Sequence, residues 1–114
     1  MAVSTNEKVH IITRRLFESD LRRHFAGVVE ACTESIIRVK GYVFIFDPVP
    51  GEFVRREKMR TRLFGLMDAG LIINILPDTV DLEDLSYTID SNGNRILTDN
   101  KEFKMNISEF GASR

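Results

Sequence analysis

The sequence predicts a mainly β protein: a small antiparallel barrel or sandwich of seven or eight short strands with at most one or two helical turns. Short stretches of alternating apolar and polar residues recur along the chain, and clusters of Gly, Pro, Asn and Asp separate them. The chain has 114 residues, of which 43% are hydrophobic and 29% charged, as is ordinary for a globular protein. We therefore expect one domain over residues 1–114.

The N-terminal third allows two interpretations. Residues 1–8 are polar and we expect them to be flexible, whereas residues 9–13 are rich in β-branched side chains. Gly27 and the two valines after it favour another strand, and Ser19-Asp20 is typical of a break between strands. A helix over residues 9–25 stays open, because apolar side chains also recur every four residues, at Phe17, Leu21, Phe25 and Val29.

Residues 25–32 and 36–46 form the most apolar pair of predicted strands, and the polar residues between them suit a hairpin. One face of the second strand is aliphatic, with Ile37, Val39, Val43 and Ile45. The other face changes along the strand from charged to aromatic side chains, in the order Arg38, Lys40, Tyr42, Phe44 and Phe46. Gly41 lies at this change, where glycine permits a bulge or a sharp coil.

The middle of the chain alternates between loops and extended segments. Two prolines and a glycine in residues 47–51 exclude both a helix and a sheet ladder, and residues 54–67 resume an extended pattern. After a turn, the apolar run Leu71–Leu76 predicts a buried strand that Pro77 ends. Residues 81–84 have the acidic pattern of a capped helical turn.

Residues 85–110 predict a three-stranded meander. Asn92-Gly93 between two alternating segments indicates a type I′ hairpin turn, because both central residues of that turn need positive φ. In the last strand, three apolar residues alternate with three polar ones. We expect the first set in the core and the second in water: Phe103, Met105 and Ile107 against Glu102, Lys104 and Asn106.

The composition indicates a reducing compartment. Cys32 is the one cysteine, so no intramolecular disulfide can form. The N-terminal residues lack the apolar core of a signal peptide, and no run approaches the roughly 18 apolar residues of a membrane span. We expect a cytoplasmic protein with no membrane partner.

The sequence predicts no catalytic, metal-binding or cofactor-binding residue, and we expect no cofactor. His10, His24 and Cys32 lack the spacing of metal ligands, and glycine-rich phosphate loops do not occur. We interpret His24 as a surface or edge residue and Cys32 as a small hydrophobe near a strand end. An enzyme with an unrecognised site stays an alternative. A group of carboxylates indicates a solvated helix start rather than a calcium site: Asp78, Asp81, Glu83 and Asp84.

Basic residues concentrate in the first half of the chain. Residues 1–62 carry twelve Lys or Arg and eight Asp or Glu, a net of +4, and residues 63–114 carry four and nine, a net of −5. On one sheet face, four arginines could bind the phosphates of single-stranded RNA or DNA, with aromatic side chains stacking on bases. The candidates are Arg22, Arg23, Arg55 and Arg56, with Tyr42, Phe44 or Phe53 for stacking.

The same charges have a structural alternative. A solvated sheet face rich in charge resists edge-to-edge aggregation without binding any ligand, and the pI of about 6.1 lies below the basic values of nucleic-acid domains. The other basic residues of this half that could contribute to either role are Arg14, Arg15, Arg38, Lys40, Lys58, Arg60 and Arg62.

Self-association is the leading functional hypothesis: a non-enzymatic structural or protein-interaction module that forms a symmetric dimer or small oligomer. The doubly apolar stretch containing Tyr42, Phe44 and Phe46 favours it, as does the run Leu71–Leu76. A small barrel can hide only part of this apolar surface in its interior. Binding of single-stranded RNA or DNA through the basic half is the alternative.

Three segments resemble a small uncharacterised bacterial protein family: residues 41–47, 68–70 and 71–77. This resemblance spans most of residues 9–111 and implies no activity. Residues 24–47 also resemble the early strands of Sm-like RNA-binding barrels. The chain departs from that family because no uridine-binding loop pair with its Asp and Asn can be matched, so the resemblance implies no site residue.

Overall fold

The computed structural model describes residues 2–14, 22–68 and 70–108, which form nine β-strands and one 3₁₀ turn. All strand pairs are antiparallel, which confirms the mainly β prediction. The predicted break at Ser19-Asp20 lies outside the described residues, as do Phe17, Leu21 and Phe110. The strands are β1 (Lys8–Thr13), β2 (Arg23–Cys32), β3 (Ile36–Asp47), β4 (Glu52–Arg55), β5 (Arg60–Gly65), β6 (Leu71–Leu76), β7 (Ser86–Ile89), β8 (Arg95–Thr98) and β9 (Lys104–Asn106), and the turn is Leu82–Asp84.

The chain divides into two compact units, Met1–Asp78 and Thr79–Arg114. The first contains a six-stranded sheet built from β1 to β6, and the second contains a three-stranded sheet built from β7 to β9. Two compact units can still share one folding transition, so the single domain over residues 1–114 stays a prediction.

The six-stranded sheet is open. Its order is β4-β3-β2-β1-β6, and β5 also pairs with β3. Because β2 occupies one side of β3, β4 and β5 lie end to end along the other side. Over the described residues, β6 does not pair with β4 or β5. The sheet therefore has two edges. It does not form a closed barrel, which was one of the two architectures that the sequence predicted.

The main core of the first unit lies on one face of this sheet, called the aliphatic face below. Directly paired residues of antiparallel strands share a face, so β1, β2 and β3 each contribute alternate side chains to it. Phe25 and Val29 belong to β2 and not to a helix, which makes the helical alternative wrong for these residues. The buried side chains of the core are Val9, Ile11, Phe25, Val29, Ile37, Val39 and Val43.

The segment before β1 extends the contact with β2. The Asn6 amide donates to the Val29 carbonyl at 2.8 Å, and the Val29 amide donates to the Glu7 carbonyl at 2.9 Å. Val3 packs against the aliphatic core. Asn6 has a φ of 75°, which asparagine tolerates better than most residues. These contacts dock residues 3–7 on the sheet, and the mobility expected for residues 1–8 stays a prediction.

β2 and β3 form the predicted hairpin, and their closest approach is at two glycines. Gly27 pairs with Gly41. A Cβ atom on Gly41 would overlap the carbonyl oxygen of Ala26, and one on Gly27 would overlap the carbonyl oxygen of Lys40. The β2–β3 register stays continuous at Gly41, so the bulge that this glycine permits does not form there. It occurs instead at Glu30, between Val29 and Ala31.

β4 and β5 are two halves of one outer strand beside β3. Phe44 pairs with Arg55 and Gly41 with Arg60, and the Arg56 amide donates to the Val43 carbonyl at 2.8 Å. Residues 57–59 therefore lie opposite one residue of β3, which interrupts the outer strand as a bulge does. The sequence predicts one extended segment here, and the interruption explains why the described residues form nine strands rather than seven or eight.

The connection between β7 and β8 differs from the predicted type I′ turn. Gly93 has a φ of 80°, whereas Asn92 lies outside the positive-φ region. Asp90 organises the loop: its carboxylate accepts hydrogen bonds from the amides of Asn92 at 2.9 Å and Asn94 at 2.8 Å. Its carbonyl accepts the Gly93 amide at 3.0 Å. These aspartate contacts stabilise a longer loop that needs positive φ at one central residue.

A buried carboxylate organises the turn after β8. The Asp99 side chain is 2% exposed and accepts hydrogen bonds from the amides of Asp81, Lys101 and Phe103 at 3.1, 2.9 and 3.2 Å. Burial opposes its charged form, but these hydrogen bonds and the Lys101 charge outweigh burial and lower the pKa of Asp99. Asp81 also accepts the Glu83 amide at 3.1 Å, which confirms the predicted capped turn.

In the last strand the side chains alternate between the two faces as predicted, but the apolar ones are less buried than expected. β8 pairs with β7 and β9, which confirms the meander. Glu102, Lys104 and Asn106 are exposed, but the apolar residues that alternate with them are half-buried rather than buried: Phe103, Met105 and Ile107.

We expect Gly41→Ala to destabilise the protein by about 1–3 kcal/mol or more, because the new methyl group must displace backbone of β2. Gly65→Ala is the matched control, since Gly65 also lies in a strand and a Cβ there meets nothing within 4 Å. The control should keep or slightly raise the free energy of unfolding. Urea titrations measure both, and equal stability of the two variants would contradict the close approach.

Candidate functional site

The outer edge of the six-stranded sheet carries a groove lined mainly by cations. Two depressions of about 480 and 340 Å³ lie along β4 and β5 and share Lys58 and Arg60. We call their combined lining the basic groove. It contains five cations and one acid, Glu57, with Val54 and Thr61; the cations are Arg55, Arg56, Lys58, Arg60 and Arg62.

The split outer strand distributes these side chains. Arg60 and Arg62 lie opposite Gly41 and Val39, so both point to the aliphatic side of the sheet. Arg55 lies opposite Phe44 and points to the other side. Residues 57–59 leave the ladder between them, and Lys58 borders both depressions. The interruption thus joins cations from the two sides of the edge.

Four of the five groove cations lack acidic partners among the described residues. In the described part of the chain, no carboxylate lies within ion-pair distance of Arg56, Lys58, Arg60 or Arg62. Partial burial, followed by the charges of Arg60 and Arg23, lowers the pKa of Arg62. The charges of Arg60 and Arg23 therefore repel the Arg62 guanidinium group, and a bound anion would relieve that repulsion.

The four candidate arginines, Arg22, Arg23, Arg55 and Arg56, do not all lie on one face of the sheet. Arg55 and Arg56 line the basic groove. Arg23 pairs with Ile45 on the aliphatic side of the sheet, opposite to the side of Arg55. Arg22 places its guanidinium carbon 4.8 Å from the centre of the Phe46 ring, a cation–π contact. The structure brings together two of the four, and it adds three cations that follow them in the sequence.

The predicted aromatic residues lie mostly in the interior. Tyr42 is 9% exposed and Phe44 is 1% exposed, while Phe46 is half-buried. The Arg55 guanidinium carbon lies 4.6 Å from the centre of the Tyr42 ring and covers it. These side chains offer little surface for stacking on bases or for contact with a second copy. Phe53, at 8% exposure, is equally enclosed.

Two histidines form a buried group on the side of the sheet opposite the aliphatic face. The rings of His10 and His24 meet edge to face with centroids 5.1 Å apart, and His24 stacks on Phe53 at 4.3 Å. His24 is 7% exposed, so its interpretation as a surface or edge residue is wrong. β2 is an interior strand, and His24 pairs with the buried Phe44. Asn74 contacts the His10 ring at 3.4 Å.

Cys32 and the acidic residues have structural roles. Cys32 is the last residue of β2 and packs against the aliphatic core, as predicted. Its thiol donates to the Val3 carbonyl at 3.5 Å. Asp81 and Asp84 both accept from the Lys101 ammonium group, at 2.5 and 2.8 Å. These contacts use the carboxylates within the second unit.

Two classes of site are not found among the described residues. No group of three or more His, Cys, Asp or Glu side chains there is placed to hold a metal ion. The same residues include no helix with the length and apolar composition needed to cross a membrane.

Sequence reasoning missed the basic groove because it depends on an interruption without a turn signature. Lys58, Arg60 and Arg62 are visible as basic residues, but one continuous strand would keep Lys58 in the ladder and place Arg60 opposite Val39 rather than Gly41. Phe44 pairs with Arg55 and Gly41 with Arg60. Two residues of β3 therefore face four residues of the outer strand, which shows that residues 57–59 loop out. The alternation Arg60-Thr61-Arg62 does predict two arginines on one face of a strand, which is the second half of the groove.

Comparison with known proteins adds no functional assignment. No family model, curated protein or solved structure matches the chain. Neither of the two resemblances noted in the sequence therefore supplies a site residue or an activity.

We expect stability to fall as the pH decreases from about 6.5 to about 4, because burial lowers the pKa of His10 to about 4 and the unfolded chain has a histidine pKa of about 6.5. Above this pH window the His10 side chain is neutral in both the folded and the unfolded protein. Within it the unfolded chain takes up a proton that the folded protein resists, so stability is lost as pH falls.

Over this pH window the free energy of unfolding should decrease by about 3 kcal/mol because of His10. Urea titrations at pH 7.5 and 4.5 measure it, and His10→Gln should remove most of the difference between the two pH values. Carboxylates with lowered pKa, such as Asp90 and Asp99, contribute mainly below this window. A variant that loses as much stability as the parent would contradict the assignment to His10.

Proposed function

We propose that the basic groove binds the phosphate backbone of single-stranded RNA or DNA, without catalysis. The observation that supports this proposal is the set of four cations with no carboxylate partner in the described residues: Arg56, Lys58, Arg60 and Arg62. Phosphate binding by such cations releases counterions, which is the main source of sequence-independent affinity. Arg55 extends the same lining.

The shape of the groove favours a single strand over a duplex. Its cations follow an extended edge strand, and Arg60 and Arg62 are two residues apart, hence about 6.6 Å along β5. A line of charges of this kind tracks a flexible backbone. The described residues provide no helix that could enter a major groove. The ligand should therefore bind along the edge of the sheet.

Binding should show little sequence preference. The aromatic side chains beside the groove are buried, and Tyr42 is covered by Arg55, so they do not form an open stacking platform. The exposed apolar groups near the cations are aliphatic: Val54, Met59 and Leu63 are 45%, 39% and 66% exposed. Such groups contact any base without reading its hydrogen-bonding edge.

Charge on an edge strand can also serve to prevent aggregation. That role needs no ligand and predicts no affinity for polyanions. The two roles are compatible, and a binding measurement separates them.

We expect mixed-sequence single-stranded oligonucleotides to bind with a strong dependence on salt. Five phosphate contacts would give a slope of about −3.5 in log affinity against log salt, and a loss of about 100-fold between 50 and 200 mM salt. Fluorescence polarisation measures both. Replacing Arg60 and Arg62 with Ser should reduce the slope to about −2 and weaken binding to every sequence.

Arg14→Ser combined with Lys104→Ser is the matched control. It removes the same net charge from exposed positions outside the groove and should bind nearly as well as the parent. The proposal is wrong if the parent shows no binding at micromolar protein in 50 mM salt. Equal loss in the two double variants would also contradict it, because net charge alone would then explain the affinity.

A further inference from the structure

We propose that the edge strand β6 pairs with β6 of a second copy of this chain, in an antiparallel two-fold dimer that continues the six-stranded sheet. This inference is independent of the basic groove. It rests on the position, composition and exposure of β6 and on the difference between the two edges of the sheet.

β6 ends the described sheet. It pairs with β1 along its full length, from Leu71 opposite Thr13 to Leu76 opposite Lys8, and it has no other strand partner in the described part of the chain. Its other side therefore presents backbone amide and carbonyl groups that can accept a further strand. Ile72 and Ile75 are each 46% exposed, so solvent reaches the two faces of the strand.

The composition of β6 lacks the features that normally protect an edge. Its sequence, Leu-Ile-Ile-Asn-Ile-Leu, contains no charge, proline or glycine, and its pairing with β1 contains no bulge. Charged side chains, proline and bulges are the usual means by which an edge avoids pairing. β6 has high β propensity and no such device over six residues.

The opposite edge of the same sheet has these protections. β4 and β5 are interrupted at residues 57–59, and the cations of the basic groove line both halves. A β6 edge meeting that edge would leave unmatched cations beside isoleucines. A β6 edge meeting another β6 edge brings no charges together. The pairing that the two edges permit is therefore β6 with itself.

Two-fold symmetry limits the register. Antiparallel strands related by a two-fold axis pair residues of one face, so a residue of β6 lies opposite itself at the axis. Centring the pair on Ile73 places Leu71 opposite Ile75, and Ile72 opposite Asn74, of the second copy. Centring it on Asn74 would bring Pro77, which has no amide hydrogen, into the ladder. The register centred on Ile73 pairs Leu71 to Ile75 within β6 and keeps Pro77 out of the ladder.

The assembly closes at two copies. An isologous contact uses the same edge on both chains, and the edges that remain are the charged, interrupted ones. A pairing of five residues of β6 from each copy is smaller than most permanent interfaces, so we expect a reversible dimer with a dissociation constant in the micromolar range.

Sedimentation velocity of the whole chain between about 5 and 500 μM, without nucleic acid, tests the proposal. We expect a monomer–dimer equilibrium for the parent and a monomer for Ile75→Lys, because a charge would enter the ladder on both strands. Leu63→Lys is the matched control: Leu63 is an exposed apolar residue of β5, and this variant should dimerise like the parent.

A parent that stays monomeric throughout overturns the proposal. Loss of the dimer in Leu63→Lys but not in Ile75→Lys also overturns it, as does assembly beyond two copies. If circular dichroism shows that Ile75→Lys is unfolded, hydrogen exchange of the parent decides. The β6 amides must then become more protected with rising protein concentration, and protection that is independent of concentration contradicts the dimer.

Discussion

The close approach of β2 and β3 at Gly27 and Gly41 is the constraint on which the six-stranded sheet depends. Neither position has room for a Cβ atom, so the two backbones set the local coil of the sheet. β3 pairs with β2 on one side and with both β4 and β5 on the other. The outer strand carries extra residues at positions 57–59, and this interruption falls opposite Tyr42, the residue after Gly41. Insertions of this kind are found where a strand bends.

The basic groove follows from that interruption. In a continuous outer strand Lys58 would stay in the ladder, on the same face as Arg56 and Arg60 and opposite to the face of Arg55. With residues 57–59 out of the ladder, Lys58 lines both depressions, and Arg55 and Arg60 approach from the two sides of the sheet. The composition of the groove therefore depends on the register of the outer strand. The link from sequence to site passes through backbone packing rather than through a motif.

Alternation and turn residues predicted most of the fold, because they report local geometry. The meander, the β2–β3 hairpin and the aliphatic face of β3 follow directly from them. The predictions that were wrong concern features that contacts between distant residues determine. His24 has charged neighbours in sequence, but its strand lies between β1 and β3, which buries it. Asn92-Gly93 located a turn, and the Asp90 carboxylate selected its type. The looped-out residues opposite Tyr42 carry no local signal at all.

The two edges of the sheet have opposite chemistry, and this separates the two proposed interactions in space. In the proposed dimer, each copy contributes five strand positions from its outer edge to β6, since β4 and β5 share one position. Ten positions at about 4.8 Å place the two basic grooves about 43 Å apart. A ligand in one groove would not touch the β6 contact or the other groove. In this proposal, charge on one edge would direct self-pairing to the other, so the cations proposed to bind phosphate would also keep a sheet with two edges from growing beyond two copies.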